Sequence, residues 1–164
     1  MLSTQDMRIL DILYDDARTP VDRIAVMLGA APADIAEAIA RLEKERVIVK
    51  YPAMINWDKT DQELVEAVVE VRVAPQRDAG FDAIAARVYR FDEVKSVYLM
   101  SGAYDLMVVM TARSMKQLAY FVAEKLSTIE NVQSTATHFV LKKYKADGVI
   151  FEEKRHSTRQ AVSP

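Results

Sequence analysis

The spacing of apolar residues along this chain changes once, from every third or fourth residue to every second, and that change divides what it can fold into. Val21, Ile24, Ala25 and Leu28 fall at i, i+3, i+4 and i+7, and Ile35, Ala38, Ile39 and Leu42 repeat the spacing after a break at Gly29-Ala30-Ala31. From Leu64 the period is two: Val65, Ala67, Val69, Val71 and Val73 share one face of a strand, with Glu66, Glu70 and Arg72 on the other. A stripe of one period cannot serve the other structure without turning its apolar residues outward. A helical first unit followed by a sheet-bearing second one is therefore expected.

The first unit reads as a helix-turn-helix. A leading helix carries Met7, Leu10, Leu13, Tyr14 and Ala17 as its stripe, with Ser3 or Thr4 as cap and Asp6 in the first turn. The two short amphipathic helices that follow, joined by a tight turn, have the geometry that presents the second of them to a DNA major groove. Arg46 to Tyr51 is β-branched and aromatic and reads as a strand or wing, stopped by Pro52, so residues 1–51 form a winged helix-turn-helix. Arg18, Arg23, Arg41, Lys44, Arg46 and Lys50 are the DNA-facing candidates. The same cations equally suit a solvated face paired with neighbours such as Glu43 and Glu45. Arg41 and Lys44 are outnumbered on their helix by Asp34, Glu37, Glu43 and Glu45, so this helix binds phosphate weakly alone and gains from a dimer that doubles its contacts.

Residues 52–63 have no periodicity and form a linker. Over 64–144 the order is strand, helix (Phe81, Ile84, Ala85, Val88), strand (Val94 to Ser101), strand (Leu106 to Thr111), helix and strand (Val132 to Tyr144). Ser114 and Gln117 make a capping box ahead of Met115, Leu118, Ala119, Val122 and Leu126. This order is the ferredoxin-like βαββαβ sandwich, and the whole chain is of α+β class. Right-handed crossovers place both helices on one sheet face. The other face, where Val68, Val97, Leu99 or their alternates point, would be bare and apolar, and a second copy of the chain is the economical cover. Residues 145–164 read as a tail, and His156 within it as part of a flexible basic end.

Composition excludes several classes. The net charge of -2 gives no general attraction to nucleic acid or acidic membrane, so any DNA contact is local. The absence of cysteine and the presence of only two histidines leave little for a metal site, and His138, in an alternating strand, reads as structural. No apolar run approaches the roughly 20 residues of a membrane span, and the N-terminus lacks the regions of a signal peptide. No phosphate loop, nucleophile elbow or paired-carboxylate motif occurs, so neither catalysis nor a cofactor is expected.

Several segments together carry a family resemblance: Leu10-Asp11-Ile12-Leu13 with Ala17-Arg18, Ile24-Ala25, Arg41-Leu42-Glu43-Lys44 leading into Val47 to Tyr51, and Ala53-Met54-Ile55-Asn56. Gly102-Ala103-Tyr104-Asp105-Leu106 between the central strands and Thr135-Ala136-Thr137 in the last strand complete the set. In this order the chain resembles the leucine-responsive regulatory protein/asparagine regulator (Lrp/AsnC) transcription factors up to about Tyr144. It departs from that pattern at Ala31, where a Ser cap is usual, at Ala38, where an Arg is usual, and at Arg46 and Lys50, where glycines are usual.

The resemblance implies a cytoplasmic, amino-acid-responsive regulator that binds double-stranded DNA as a dimer, tetramer or octamer. It also implies that Met100, Ser101, Gly102, Asp105, Thr135 and Thr137 hold the effector between dimers. By its residues alone the Gly102 to Asp105 stretch is equally a hairpin turn. Two alternatives stand beside this reading: an amino-acid sensor without specific DNA binding, and an enzyme similar to the siroheme decarboxylases, for which His138 alone is thin support.

Overall fold

The computed structural model describes residues 1–74 and 80–151, and the chain divides into two compact units, Met1–Ile55 and Asn56–Pro164. The first holds α1 (Thr4–Asp15), α2 (Val21–Leu28) and α3 (Pro32–Lys44) around Ile9, Leu13, Ile24, Ala25, Ile35 and Leu42. Each helix end has its own chemistry. Ser3 caps α1 reciprocally with Asp6: its hydroxyl accepts the Asp6 N–H at 3.0 Å, and the Asp6 carboxylate accepts the Ser3 N–H at 2.8 Å. Gly29 ends α2 at φ 64°, a left-handed conformation open to glycine, and the Ala30 N–H returns to the Ala25 carbonyl. α3 starts on Ala31 without a side-chain cap, and Pro32 occupies the first turn, where its missing N–H loses nothing.

The apolar stripes of α2 and α3 pack as their periodicity predicts, but that of α1 does not. Met7, Tyr14 and Ala17 are exposed, and the buried face runs through Asp6, Ile9 and Leu13. Apolar residues occur almost all round this helix, so spacing alone cannot choose a face. The strand predicted for Arg46 to Tyr51 is also absent. A strand needs a ladder partner, and the first unit contains no strand to supply one. The segment is instead pinned against α3: the Val47 and Ile48 N–H groups both donate to the Leu42 carbonyl, Ile48 packs on the helical core, and the Tyr51 hydroxyl donates to Glu43 at 2.8 Å.

The second unit opens with a single 3-10 turn at Trp57–Lys59. Its sheet comprises β1 (Val65–Val73), β2 (Val94–Leu99), β3 (Leu106–Ala112) and β4 (Val132–Phe139), all antiparallel in the order β2-β3-β1-β4. The helices α4 (Phe81–Val88) and α5 (Met115–Phe121) bury Ile84, Val88, Leu118 and Phe121 against Val69, Val71, Val108 and Met110 on one face. This is the βαββαβ sandwich the strand and helix order predicts. Residues 75–79 and 152–164, the latter with His156, lie outside the described residues.

Three details differ from expectation. Val97 and Leu99 pair with the buried Val108 and Leu106 and so lie on the helix side of the sheet. Directly opposed residues in an antiparallel pair share a face, which leaves Ser96 and Tyr98 on the open side with Val68, Met107, Val109 and Ala136. The second helix does not stay α-helical: Val122–Leu126 form a π turn, with the Ser127 N–H reaching the Val122 carbonyl at 2.8 Å. The wider turn keeps Val122 and Leu126 on the core while Ala119, counted in the predicted stripe, faces out. Finally, within the expected tail, Lys145–Ala146 (β5) and Val149–Ile150 (β6) form a hairpin around Asp147 and Gly148, both at positive φ.

Candidate DNA-binding surface and effector site

The six cations proposed from the sequence separate into two groups. Arg18, Arg23, Lys44, Arg46 and Lys50 are exposed, and their side chains make no ion pair with another described residue. Arg41 is engaged: its guanidinium meets Asp6 Oδ1 at 2.6 Å and stands 3.9 Å from Glu45 Oε2. Asp6 is only 3% exposed. Its carboxyl is held below the usual carboxylate range, chiefly because the Ser3 N–H donates to it, with the Ser3 hydroxyl and Arg41 adding to that effect against the opposing desolvation. The sequence signal for this contact was slight, an acidic residue in a first turn, which ordinarily reads as a response to the helix dipole.

Arg46 carries a different constraint. Glu45 caps the C-terminal end of α3; the Arg46 N–H donates to the Glu43 carbonyl and the Val47 N–H to the Leu42 carbonyl, a paired closure that puts Arg46 at φ 57°. This left-handed position favours glycine, which the family resemblance also led one to expect there. The Tyr51 hydroxyl, desolvated and hydrogen-bonded to the Glu43 carboxylate, is pushed up to about 12, so it remains a donor across the physiological range.

In the second unit, β1 lies between the two groups of effector candidates. Asp105 adjoins one side of the C-terminal end of β1, where its N–H donates to the Val71 carbonyl and its Oδ2 accepts the Val73 N–H at 2.9 Å. Thr135 and Thr137 adjoin the other side, opposite Val71 and Val69. With strands about 4.8 Å apart, the two groups stand on backbones roughly 10 Å apart. The Thr135 hydroxyl is within 3.1 Å of Ser127 Oγ, and the Met100 N–H donates to the Asp105 carbonyl at 2.8 Å. Ser101 and Gly102 are exposed. Gly102 has no positive φ, and a Cβ added there meets nothing within 4 Å, so neither backbone nor packing within one protomer requires glycine. Asp105 is thus a backbone partner with one oxygen, as a turn residue would be, and its second oxygen has no such role.

On the open face His138 Nε2 lies 3.4 Å from Glu70 Oε1, and Lys143 Nζ 2.8 Å from Glu66 Oε2. Among the described residues no group of three or more His, Asp or Glu side chains could hold a metal, and no helix is long and apolar enough to cross a membrane.

A three-helix unit with a helix-turn-helix, joined to a ferredoxin-like sandwich, defines a class of DNA-binding regulators with a separate ligand-binding unit. The profile for winged helix-turn-helix DNA-binding matches residues 2–49, and that for the Lrp/AsnC ligand binding domain matches residues 66–150. The chain belongs to the Lrp/AsnC family of transcriptional regulators. It is 49% identical over 164 residues to the uncharacterized HTH-type transcriptional regulator YugG of Bacillus subtilis, covering 99% of each chain. It is also 31% identical over 145 residues to the HTH-type transcriptional regulator LrpA of Pyrococcus horikoshii, covering 88% of this chain and all of that one. Among solved structures it is similar to a Neisseria meningitidis transcriptional regulator in complex with L-methionine, with a TM-score of 0.72 and 24% identity over 89% of this chain and 94% of that one.

Proposed function

We propose that this regulator responds to an amino acid and acts as a homo-oligomer. What carries the reading is the presence, on one chain, of a DNA-binding unit and a ligand-binding unit of this family. Linkage supplies the mechanism: an effector that favours one arrangement of protomers changes operator affinity, and the operator changes effector affinity by the same factor. DNA contacts are assigned to Arg18, Arg23, Lys44, Arg46 and Lys50, whose exposed charge is not taken up by ion pairs. The cations available to phosphate are then concentrated at the end of α3 and beyond it. The acidic residues of α3 favour the second reading, a sensor without sequence-specific binding.

The effector is assigned to Met100, Ser101, Gly102, Asp105, Thr135 and Thr137, and the L-methionine complex of the Neisseria relative supports an amino acid as ligand. In this assignment Asp105 Oδ1 accepts the ligand ammonium while Oδ2 keeps the Val73 N–H. The open space at Gly102 admits a ligand or a neighbouring protomer. A second copy covers Val68, Tyr98, Met107 and Val109, an arrangement that as a stable dimer buries about 1,200 Å² or more. The chain acts without catalysis, cofactor or metal, in the cytoplasm. The deciding experiment recovers genomic DNA bound by the purified chain with and without pooled amino acids, followed by calorimetry against each amino acid. Discrete promoters whose occupancy changes with one or a few amino acids are expected. Recovery of no preferred sequence, with calorimetric binding retained, supports the sensor-only reading.

A further inference from the structure

We propose that Arg41 is a positioning residue, setting the orientation of α3 through Asp6 instead of contacting DNA itself. This rests on the DNA-binding reading above and adds a division of labour to it. Asp6 stands in the first turn of α1 and Arg41 in the last turn of α3, 35 residues later, so their 2.6 Å contact joins the two ends of the helical unit. A carboxylate that is 3% exposed needs partners for its oxygens, because an unpaired buried charge is strongly unfavourable. Oδ2 has the Ser3 N–H, and Oδ1 has Arg41. If the guanidinium swung to a DNA phosphate, Oδ1 would lose its partner.

The surroundings of Arg41 point the same way. Its guanidinium lies between the Asp6 and Glu45 carboxylates, two negative groups that repel an approaching phosphate. The candidate cations without an ion pair to another described residue lie elsewhere, at Lys44, Arg46 and Lys50 near the end of α3 and at Arg18 and Arg23. What the pair does control is geometry. Which side chains of a recognition helix reach base edges depends on how that helix is held, and sites of this kind tolerate only about 0.5 Å of misplacement. Charge-assisted contacts between an Arg and a carboxylate are directional as well as strong.

The test uses the full chain with two probes: the duplex that the wild type selects from a random-sequence pool, and a scrambled duplex of equal length. Asp6→Asn, Arg41→Gln and the double variant are compared. Each single change should lower affinity for the selected duplex by about tenfold, equivalent to 1.4 kcal/mol. The double variant should fall no further than either single, as expected for two residues acting through one contact. Binding to the scrambled duplex and the slope of log affinity against log salt should match the wild type. The proposal is overturned if Arg41→Gln lowers the salt slope by about 0.9, the signature of one lost phosphate contact. It is equally overturned if Asp6→Asn binds as well as or better than the wild type, since that would mean a released Arg41 serves DNA directly. Should Asp6→Asn fail to fold, Arg41→Gln decides alone: lower affinity at an unchanged slope supports positioning, and a reduced slope refutes it. A wild type that selects no duplex removes the DNA reading itself, and this proposal with it.

Discussion

Replacing Arg46 with glycine should stabilise the helical unit while weakening its hold on DNA. Arg46 sits at φ 57°, just past the end of α3, where an L side chain costs roughly 1–2 kcal/mol relative to its ordinary conformations. Glycine removes that strain but gives the unfolded chain more freedom, which offsets about 0.5–1 kcal/mol. The middle of these two ranges leaves a net gain of about 0.75 kcal/mol, with the Val47 N–H to Leu42 bond at 2.9 Å retained. In a unit the size of Met1–Ile55, such a gain raises the midpoint of thermal unfolding by about 2–8 °C. Arg46→Ala is the control, because it removes the same charge and keeps the strain. The assay is thermal unfolding followed by far-ultraviolet circular dichroism, beside DNA titrations at several salt concentrations. Both variants should lose about 0.9 in salt slope if Arg46 meets one phosphate, and only the glycine variant should gain stability. Equal stability in the two variants would refute the argument from left-handed strain. An unchanged slope in both would refute the assignment of Arg46 to DNA and leave an exposed cation at an unfavourable backbone position without a reason.

Asp105→Asn and Asp105→Ala should differ in a way that separates the residue's two roles. Asn keeps an acceptor for the Val73 N–H and loses the charge, so effector affinity by calorimetry should fall about ten- to a hundredfold, as for loss of a charged hydrogen bond of about 1.5–3 kcal/mol, without a fall in thermal midpoint. Ala should lower both, and unchanged effector binding in Asn would make Asp105 a turn residue alone. Val109→Glu puts a charge on the open sheet face and should shift light scattering from dimer or larger toward monomer at micromolar concentration; an unchanged mass would show that this face is not the interface. The depressed carboxyl of Asp6 should appear in the acid stability of the helical unit. Its contribution is complete above the ordinary Asp range and is lost as pH falls through the lower folded value, because the unfolded chain takes up the proton first. Urea unfolding of wild type and Asp6→Asn between pH 3 and 7 should therefore show a stability difference that shrinks toward the acid end, and a difference independent of pH would contradict the ion pair.

Much of the architecture was legible in the sequence because it is local. The stripes of α2 and α3, the break at Gly29, the period-two run from Val65 to Val73 and the Ser114 cap each depend on residues within a turn or two of one another. The order of elements then left few topologies for the second unit. The β5–β6 hairpin was equally local: Asp147-Gly148 between Lys145-Ala146 and Val149-Ile150 is a strong turn signal that a reading of the end as tail passed over.

What only the tertiary structure decided are the choices among locally equivalent options. α1 offered apolar residues nearly all round, and the buried face was settled by packing on α2 and α3 and by the Arg41 partner of Asp6, 35 residues away. Arg46 to Tyr51 has strand-forming residues, but a strand exists only where another backbone completes its ladder, and here the segment closes onto α3. Val97 and Leu99 could have faced either way until pairing with Val108 and Leu106 settled their side. The same holds for the site residues. Residue types nominated Arg41 for DNA and Asp105 for an ammonium, but long-range geometry shows one charge already met by Asp6 and one carboxylate oxygen already given to Val73. Periodicity is written residue by residue, whereas the partner of a charge is set by which distant segments the fold brings within about 3 Å.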